Sequence, residues 1–471
     1  MAAAEPPVPS AAPDDRLVRG LGAWDAALLT VGSVVGTGIF LTTSDMAKVL
    51  PHGGLLLCVW IAGGLLTLAG ALTYAELGVM FPHAGGLYHY LKEAYGPLCG
   101  FLYGWIAFLV IMSGGIATIA VGFGQYLASF VPALAQTAWG LQVPGLPALQ
   151  VTGVQLAAVA AILVLTAVNH LGLEEGAWVQ NVLTVLKVGS ILVFGVLGLL
   201  VQAPARAPEV VAAAAAPDLL SGAFLAAFGF AMISVLWTYD GWYGLTCSAG
   251  EVRDPARNLP RGLILGTLAV ILLYVLLNLA YLRALPAAAM GGEPRIAEAA
   301  ALRLFGDGGA RLLSLAVLVS AFGCLSSTIL YSSRLYLPMA ADGLFFRSLA
   351  RVHPRFRIPV RSLWAQSGWA VLLALSGTYA QLYTYVVFAS VVFHAATAAA
   401  VFVFRRTRPG LPRPYRTWGY PVIPALFILA CLLLIGNTLW ASPRESLLGL
   451  ALLVLGLPAY AWFRRRRAPV A

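Results

Sequence analysis

The chain has 471 residues, of which 60% are hydrophobic and only 10% are charged. A soluble domain carries roughly 25% charged residues, so this composition excludes a water-soluble globule, and its apolar content also excludes a disordered or collagen-like chain. The formal net charge is +10. In a membrane protein this excess indicates basic cytoplasmic loops rather than a nucleic-acid-binding surface.

Apolar stretches separated by Gly, Pro and charged residues predict twelve membrane crossings, because one crossing needs about 20 apolar residues. Residues 1–20 are polar and rich in Ala and Pro, which predicts a cytoplasmic N-terminal tail without a secretory signal peptide. The predicted crossings are 24–42, 54–80, 97–130, 151–169, 176–202, 219–249, 261–283, 311–338, 361–376, 380–404, 420–440 and 446–463.

The distribution of basic residues predicts the orientation of these crossings. With the N-terminus in the cytoplasm, 21 of the 29 Lys and Arg residues lie on the cytoplasmic side and seven on the other side. This asymmetry follows the positive-inside rule. We therefore expect a multi-pass protein of the cell membrane (plasma or inner) with both termini in the cytoplasm. Residues 464–471 form a basic cytoplasmic tail that contacts anionic lipid headgroups.

Two of the predicted crossings contain residues that interrupt a helix. The first has Gly32, Gly36 and Gly38 within seven residues, and each glycine weakens a helix by about 1 kcal/mol relative to Ala. The sixth has an ionisable residue beside a glycine, Asp240-Gly241, inside an apolar run. Glycines in membrane helices also permit close helix contacts, so the glycines of the first crossing are open to either interpretation.

The positions of the two interruptions predict an internal repeat. Residues 21–202 and 203–404 each hold five predicted crossings, and the interruptions fall in the first crossing of each block. Five is an odd number, so the second block enters the membrane from the opposite side. This pattern is typical of inverted-repeat transporters whose broken helices form the substrate site. Residues 405–463 then add helices 11 and 12.

A broken helix exposes peptide groups that suit a zwitterion such as a free α-amino acid. N–H groups at the start of a half-helix attract a carboxylate, and C=O groups at the end of a half-helix attract an ammonium group. We expect residues 36–38 to bind the carboxylate, carbonyls of 33–34 and 237–238 to bind the ammonium, and Trp237 and Tyr239 to wall the side-chain pocket. The predicted substrate-binding residues are Ser33, Val34, Gly36, Thr37, Gly38, Trp237, Thr238, Tyr239, Asp240 and Gly241.

Three roles are open to Asp240. Its carboxylate could bind a cationic substrate side chain, pair with another polar group, or cap the second half of the sixth crossing. Of these, the cap is the favoured interpretation. For Glu76, near the end of the second crossing, we expect a structural ion pair with a loop arginine, and for His394, in the tenth, a satisfied packing role.

Several ordered motifs place the chain in a known group of proteins. A Tyr-Ala-Glu-Leu-Gly string occupies 74–78, Gly-Glu-Val-Arg opens the stretch 250–261, and Ser-Ser-Arg opens 332–343. With the interrupted crossings, these motifs resemble the amino acid–polyamine–organocation (APC) superfamily and, within it, the L-type amino acid transporter branch, over roughly residues 20–440. The resemblance implies an all-α LeuT-like 5+5 inverted repeat with broken helices 1 and 6. It also implies a permease that works by alternating access, through sodium-independent exchange or proton-coupled uptake of L-amino acids.

The resemblance also suggests a coupling role for Lys187 in the fifth crossing. In related transporters a lysine here looks like a built-in substitute for the sodium ion of sodium-coupled relatives, tying the fifth crossing to the first and eighth. Ser326 and Ser327 in the eighth crossing are the expected neighbours. A lysine that loses and regains a proton would couple transport to protons, whereas a permanently charged one would support exchange, and the sequence leaves both open.

The expected partners are an L-amino acid, the lipid bilayer and, under proton coupling, protons. Animal L-type light chains use a cysteine between crossings 3 and 4 to bind a heavy chain, and residues 131–150 contain no cysteine, so no disulfide-linked partner is expected. Neither a cofactor nor a metal is expected. The six histidines are scattered and show no metalloprotease or nucleophile-elbow motif, which argues against an enzyme. A receptor that binds amino acids without transporting them would share every site residue and is the alternative function.

Overall fold

The computed structural model describes residues 19–83, 85–141, 149–171, 176–202, 218–356, 358–441 and 443–466. Within this part of the chain, ten helices are long and apolar enough to cross a membrane, or eleven if one bent pair counts as a single crossing. The chain is therefore a mostly helical integral membrane protein. Residues 1–18 and 467–471, which hold most of the two predicted tails, lie outside the described residues, as do 142–148 and 203–217.

The described residues of the first half of the chain form eight α-helices and one small sheet. A π-helical turn, Ala107–Ile111, joins α5 to α6 in one long span. A 3-10 helix, Pro132–Ala135, precedes the antiparallel pair β1 (Thr137–Leu141) and β2 (Leu149–Thr152), which the sequence did not predict. The helices are α1 (Ala23–Val34), α2 (Gly38–Val49), α3 (Gly53–Met80), α4 (Leu87–Tyr95), α5 (Pro97–Ile106), α6 (Met112–Phe130), α7 (Gly153–His170) and α8 (Gly176–Leu200).

Ten further helices make up the second half. They are α9 (Gly222–Tyr239), α10 (Gly244–Cys247), α11 (Pro255–Ala284), α12 (Ala287–Met290), α13 (Ile296–Ser333), α14 (Tyr336–Ala341), α15 (Val360–Ser376), α16 (Tyr379–Thr407), α17 (Val422–Ala441) and α18 (Pro443–Arg465). At 17 residues α15 is at the short end of the length that crosses a bilayer. Gly306 breaks α13, so the predicted eighth crossing is preceded by an additional helical segment.

The first predicted crossing is broken where the glycines indicated. The helices α1 and α2 meet at an angle of 42°, separated by Val35, Gly36 and Thr37. Val35 has φ −74° and ψ 88°, so the chain leaves the helical conformation there while the Val35 N–H still donates to the Val31 carbonyl, 2.9 Å away. This confirms the predicted interruption of crossing 1.

The sixth predicted crossing, 219–249, is not one continuous helix. Helix α9 ends at Tyr239, Asp240 is extended, and Gly241 has φ +94°, in the region that favours glycine. A Cβ on Gly241 would lie 2.6 Å from the Ser33 carbonyl oxygen. Glycine is therefore required at this position both for its backbone conformation and for the contact with α1.

A seam of small residues joins α11 to α1. A Cβ on Gly262 would lie 2.7 Å from the Ala26 Cβ, and a Cβ on Gly266 would lie 2.7 Å from the Thr30 Cβ. Both pairs are spaced by four residues, so they recur once per helical turn on facing sides of the two helices. We call these four residues the glycine seam.

Glu76 forms a structural ion pair, as predicted, but its closer partner Arg405 lies in the last turn of α16 and not in a loop. Its side chain is fully buried, and its two carboxylate oxygens accept hydrogen bonds from Arg405 at 3.0 and 2.7 Å. The Thr417 N–H donates to the same carboxylate at 2.7 Å, and the Arg413 guanidinium lies 3.6 Å away. The carboxylate thus joins α3 to the end of α16 and the segment that follows it.

Candidate functional site

A cavity lies between the break of α1 and α2 and the end of α9. Nine of the ten predicted substrate-binding residues line it: Ser33, Val34, Gly36, Thr37, Gly38, Trp237, Thr238, Asp240 and Gly241. The other walls were not predicted. They come from Ile111 of the π-helical turn, from Met112, Gly115 and Ile119 of α6, and from Cys324, Thr328 and Tyr331 of α13.

Tyr239 is the predicted site residue that does not line this cavity. Its hydroxyl donates to the Trp60 carbonyl at 3.3 Å, and its ring contacts Trp60 and Tyr274 with centroid distances of 6.0 and 5.1 Å. Successive helical residues point about 100° apart, so Thr238 faces the cavity while Tyr239 faces α3 and α11. Tyr239 is thus a packing residue and not a wall of the side-chain pocket.

The start of α2 presents peptide N–H groups to the cavity. Those of Gly36, Thr37 and Gly38 have no backbone acceptor in the described part of the chain, and the first N–H bonded back is that of Phe40, 3.1 Å from the Thr37 carbonyl oxygen. Unpaired N–H groups at a helix start carry partial positive charge and bind anions. This end of the cavity can therefore accept a carboxylate.

The ends of α1 and α9 present carbonyl groups, and Tyr274 of α11 bridges them. Its hydroxyl lies 3.1 Å from both the Val34 and the Thr238 carbonyl oxygens. A hydroxyl has one hydrogen, so it donates fully to one carbonyl at a time and leaves acceptor capacity on both. The two carbonyls can therefore also accept from an ammonium group. No sequence motif predicted a role for Tyr274.

Lys187 lies beside the break of α1. Its side chain is 1% exposed, and its Nζ donates to the Gly32 and Val35 carbonyls at 3.0 and 3.1 Å. The Ser320 hydroxyl of α13 donates to the same Val35 carbonyl at 3.3 Å. Lys187 thus connects α8 to α1. Ser320 of α13 donates to one of the same two carbonyl groups, that of Val35.

The predicted neighbours of Lys187 are wrong in detail. Ser326 donates to Asn169 Oδ1 at 3.2 Å, and Ser327 donates to the Gly323 carbonyl of its own helix at 2.9 Å. Ser326 faces another direction from Ser320, and Ser327 lies about 10 Å further along the axis, since each residue adds about 1.5 Å. The serine that reaches the Lys187 site is Ser320.

Aromatic side chains of α9 and α16 pack together beside the cavity, and Trp237 is the one that lines it. The Trp237 indole Nε1 donates to the Tyr379 hydroxyl at 3.0 Å, and the Trp237 and Tyr383 rings are stacked at 6.2 Å. The Tyr383 hydroxyl also donates to Asp45 Oδ2 of α2 at 3.4 Å. These contacts join α2, α9 and α16, and we call Trp237, Tyr379 and Tyr383 the aromatic layer.

The structure does not support the favoured cap role of Asp240. The residue that precedes α10 is Tyr243, without a side-chain cap, whereas Asp240 ends α9 and donates its own N–H to the Trp237 carbonyl at 3.0 Å. Two of its predicted roles remain, a substrate contact and a polar partner. The Asp240 side chain lines both this cavity and a second one between α3, α9, α16 and α17.

A bundle of apolar helices with a cavity between two helix breaks is typical of secondary transporters. Residues 21–454 match the family model described as amino acid permease. The chain belongs to this family, within the APC superfamily and its L-type branch, which confirms the resemblance seen in the motifs.

Similar proteins include exchangers and transporters of amino acids. The serine/threonine exchanger SteT of Bacillus subtilis (strain 168) is 31% identical over 97% of this chain and 99% of its own. Large neutral amino acids transporter small subunit 2 of Oryctolagus cuniculus is 30% identical over 94% of this chain and 80% of its own. The b(0,+)-type amino acid transporter 1 of Mus musculus is 29% identical over 95% of this chain and 88% of its own. The matches thus extend over nearly the whole of this chain.

Proposed function

We propose that the chain is a sodium-independent exchanger of small neutral L-amino acids that works by alternating access. The observation that carries the proposal is one cavity that holds both unpaired N–H groups, at residues 36–38, and the carbonyl ends of α1 and α9. A free amino acid offers the complementary pair of charges at a fixed short distance. Proton-coupled uptake is the second mode, and a non-transporting amino acid receptor is the alternative function.

In this proposal the twelve predicted crossings form a LeuT-like inverted repeat of residues 21–202 and 203–404, followed by helices 11 and 12 in 405–463. The protein lies in the cell membrane with both termini in the cytoplasm and acts without a disulfide-linked heavy chain. The matching places of the α1–α2 break and the end of α9, each in the first predicted crossing of its block, support this arrangement.

The walls of the cavity favour a small side chain. Met112 and Ile119 supply apolar surface, Thr328 and Tyr331 supply hydroxyl groups, and Cys324 lies against Gly36. A short apolar or hydroxylated side chain fits this mixture of surfaces. The name of the Bacillus relative, a serine/threonine exchanger, agrees with this class, so we propose L-serine and L-threonine as the first substrates to test.

Lys187 is proposed to replace a coupling cation. Its ammonium group donates to carbonyls at the end of α1, where a bound sodium ion would otherwise neutralise their partial negative charge. A covalently attached cation needs no sodium gradient. Lys187 would then hold α1 against α8 throughout the cycle, which suits exchange.

Two groups of contacts are proposed as gates on opposite sides of the site. With the N-terminus in the cytoplasm, the aromatic layer lies on the extracellular side. On the cytoplasmic side, Arg334 pairs with Glu251 at 2.6 Å and Lys92 pairs with Asp342 at 2.5 Å. Alternating access requires that one group opens while the other is closed.

Uptake by purified protein in liposomes tests the proposal. We expect uptake of labelled L-serine to rise when the liposomes contain unlabelled L-serine, and to be unchanged when external sodium is replaced by choline. Stimulation by an inward proton gradient, without internal amino acid, would favour proton coupling instead. Saturable binding with no uptake under either condition would establish the receptor alternative. Liposomes without protein, and liposomes with protein but no internal amino acid, are the controls.

A further inference from the structure

A second buried cavity lies behind the end of α9, between α3, α16 and α17. Its walls are mostly apolar and include Phe427 of α17. Four polar side chains interrupt this surface: Thr67, Asp240, Ser390 and His394. Of these, only Asp240 also lines the cavity between the helix breaks, so it lies between the two spaces.

Ser390 indicates that this cavity holds a polar ligand. Its side chain is 4% exposed, and its Oγ has no hydrogen-bond partner in the structure. A buried hydroxyl without a partner costs about 1–3 kcal/mol. A water molecule removes this cost where two or more polar groups can bind it. Asp240, Ser390 and His394 provide such groups around one small space.

The contacts of His394 are compatible with a tautomer whose Nε2 is free to accept a proton. The Tyr74 hydroxyl lies 3.0 Å from Nδ1 and 3.4 Å from the His394 carbonyl oxygen. If the hydroxyl donates to that carbonyl, it accepts from Nδ1–H, and the neutral imidazole then carries its hydrogen on Nδ1. Nε2 is left as an acceptor that can take up a proton.

We propose that water in the second cavity joins the Asp240 carboxyl group to His394, and that binding of an amino acid moves one proton from Asp240 to Nε2 of His394. This inference rests on the proposed function, because it assigns the substrate ammonium group to the Asp240 side of the first cavity.

The transfer balances in atoms and charge. In the empty protein the carboxyl group is neutral and so is the imidazole. When the substrate ammonium group arrives, the O–H bond of Asp240 breaks, water passes a proton on, and an N–H bond forms at Nε2. The pair becomes a carboxylate and an imidazolium with no change in its total charge, and the carboxylate forms an ion pair with the ammonium group.

Other titratable groups surround this pair. Tyr74 of α3, Cys431 of α17 and Tyr243, which follows the α9 break, face His394 or its cavity. Cys324 and Tyr331 of α13 line the first cavity with Asp240. Ordinary tyrosine and cysteine side chains are neutral at pH 7.

No ion pair to Asp240 or His394 is found among the described residues. Since Lys187 donates to the Gly32 and Val35 carbonyls, its ammonium group is engaged elsewhere. The positive charge on His394 after the transfer is therefore compensated by the Asp240 carboxylate, and not by another ionised side chain.

Proton release on substrate binding tests this inference. The detergent-solubilised full chain is titrated with pH-matched L-serine in weak buffer containing a pH-indicator dye, and the bound serine is counted by calorimetry. We expect no net proton release from the wild type, because His394 keeps the proton. His394→Gln should release close to one proton per bound serine, and Asp240→Asn should release none. His83→Gln, which alters an exposed histidine, is the matched control and should behave as the wild type.

A second measurement needs no variant of the pair itself. The Trp242 ring lies 5.6 Å from the His394 ring, and an imidazolium quenches the fluorescence of a neighbouring indole. L-Serine should therefore quench the tryptophan fluorescence of the wild type more strongly than that of Trp242→Phe, in which only Trp237 of the first cavity still responds to binding.

Each alternative result has a distinct meaning. Equal proton release from the wild type and His394→Gln, or no release from either together with equal fluorescence changes in the wild type and Trp242→Phe, would overturn the proton transfer while leaving the proposed function intact. Absence of L-serine binding to the wild type would overturn both.

Discussion

Replacing Tyr274 by Phe tests how the two helix ends are held in register. The hydroxyl is fully buried and lies 3.1 Å from carbonyl oxygens of both α1 and α9, and it is the only atom that Phe lacks. Since the hydroxyl donates to one carbonyl at a time, the variant loses one net hydrogen bond, worth about 0.5–1.5 kcal/mol. If that energy positions the carbonyls for the substrate ammonium group, the dissociation constant for L-serine should rise roughly two- to tenfold.

Tyr281→Phe is the matched control on the same helix. Its hydroxyl is also buried, but it lies 3.4 Å from the Ile39 carbonyl oxygen, too far for a strong bond. We expect its affinity to change by less than about twofold, since a weak bond contributes only a few tenths of a kcal/mol. Calorimetric titration of both solubilised variants with L-serine measures the difference.

The reasoning fails if Tyr274→Phe binds L-serine as tightly as the wild type or more tightly. Tighter binding would mean that the hydroxyl competes with the substrate for the Val34 and Thr238 carbonyls. Equal weakening by both variants would mean that loss of any hydroxyl on α11 perturbs the bundle, with no particular role for the bridge.

Three further predictions concern the site and its support. Gly36→Val should weaken L-serine binding more than tenfold, since a branched side chain fills the carboxylate end of the cavity; unchanged affinity in calorimetry would contradict this. Lys187→Met removes two charge-assisted bonds of about 1.5–3 kcal/mol each and should reduce exchange in liposomes more than tenfold, whereas Ser320→Ala should reduce it less than about threefold. Arg405→Ala leaves the buried Glu76 carboxylate with Arg413, 3.6 Å away, as its remaining cation, at a cost of up to about 3–5 kcal/mol, so thermal unfolding in detergent should occur at a lower temperature, with partial recovery on adding Glu76→Gln.

The helix breaks could be predicted because their signals are local. A glycine affects the backbone at its own position. The helices are interrupted at Gly36 and at Asp240-Gly241, where the sequence contains these residues. Glu76 could be predicted for a similar reason, since a carboxylate in an apolar helix requires a cation wherever the fold supplies one.

The remaining parts of the site depend on which helices become neighbours. Met112, Tyr274 and Ser320 lie in ordinary apolar helices, and nothing in their own segments indicates that they face a break. The error over Ser326 has the same origin, because its rotation about α13 is fixed by packing against α7. The small sheet between α6 and α7 was not predicted because its strands are only five and four residues long. The longer strand, β1, does not alternate between polar and apolar residues.

The glycine seam determines which contacts between helices break when the site changes shape. Because Gly262 and Gly266 lie directly against Ala26 and Thr30, tilting α1 away from α11 would open a gap along the seam, so we expect the two helices to move as one unit. Tyr274 of α11 would move together with Val34 of α1, whereas Thr238 belongs to α9. Movement of these two helices away from α9 would therefore break the hydrogen bond between the Tyr274 hydroxyl and the Thr238 carbonyl and separate the Tyr274 and Tyr239 rings.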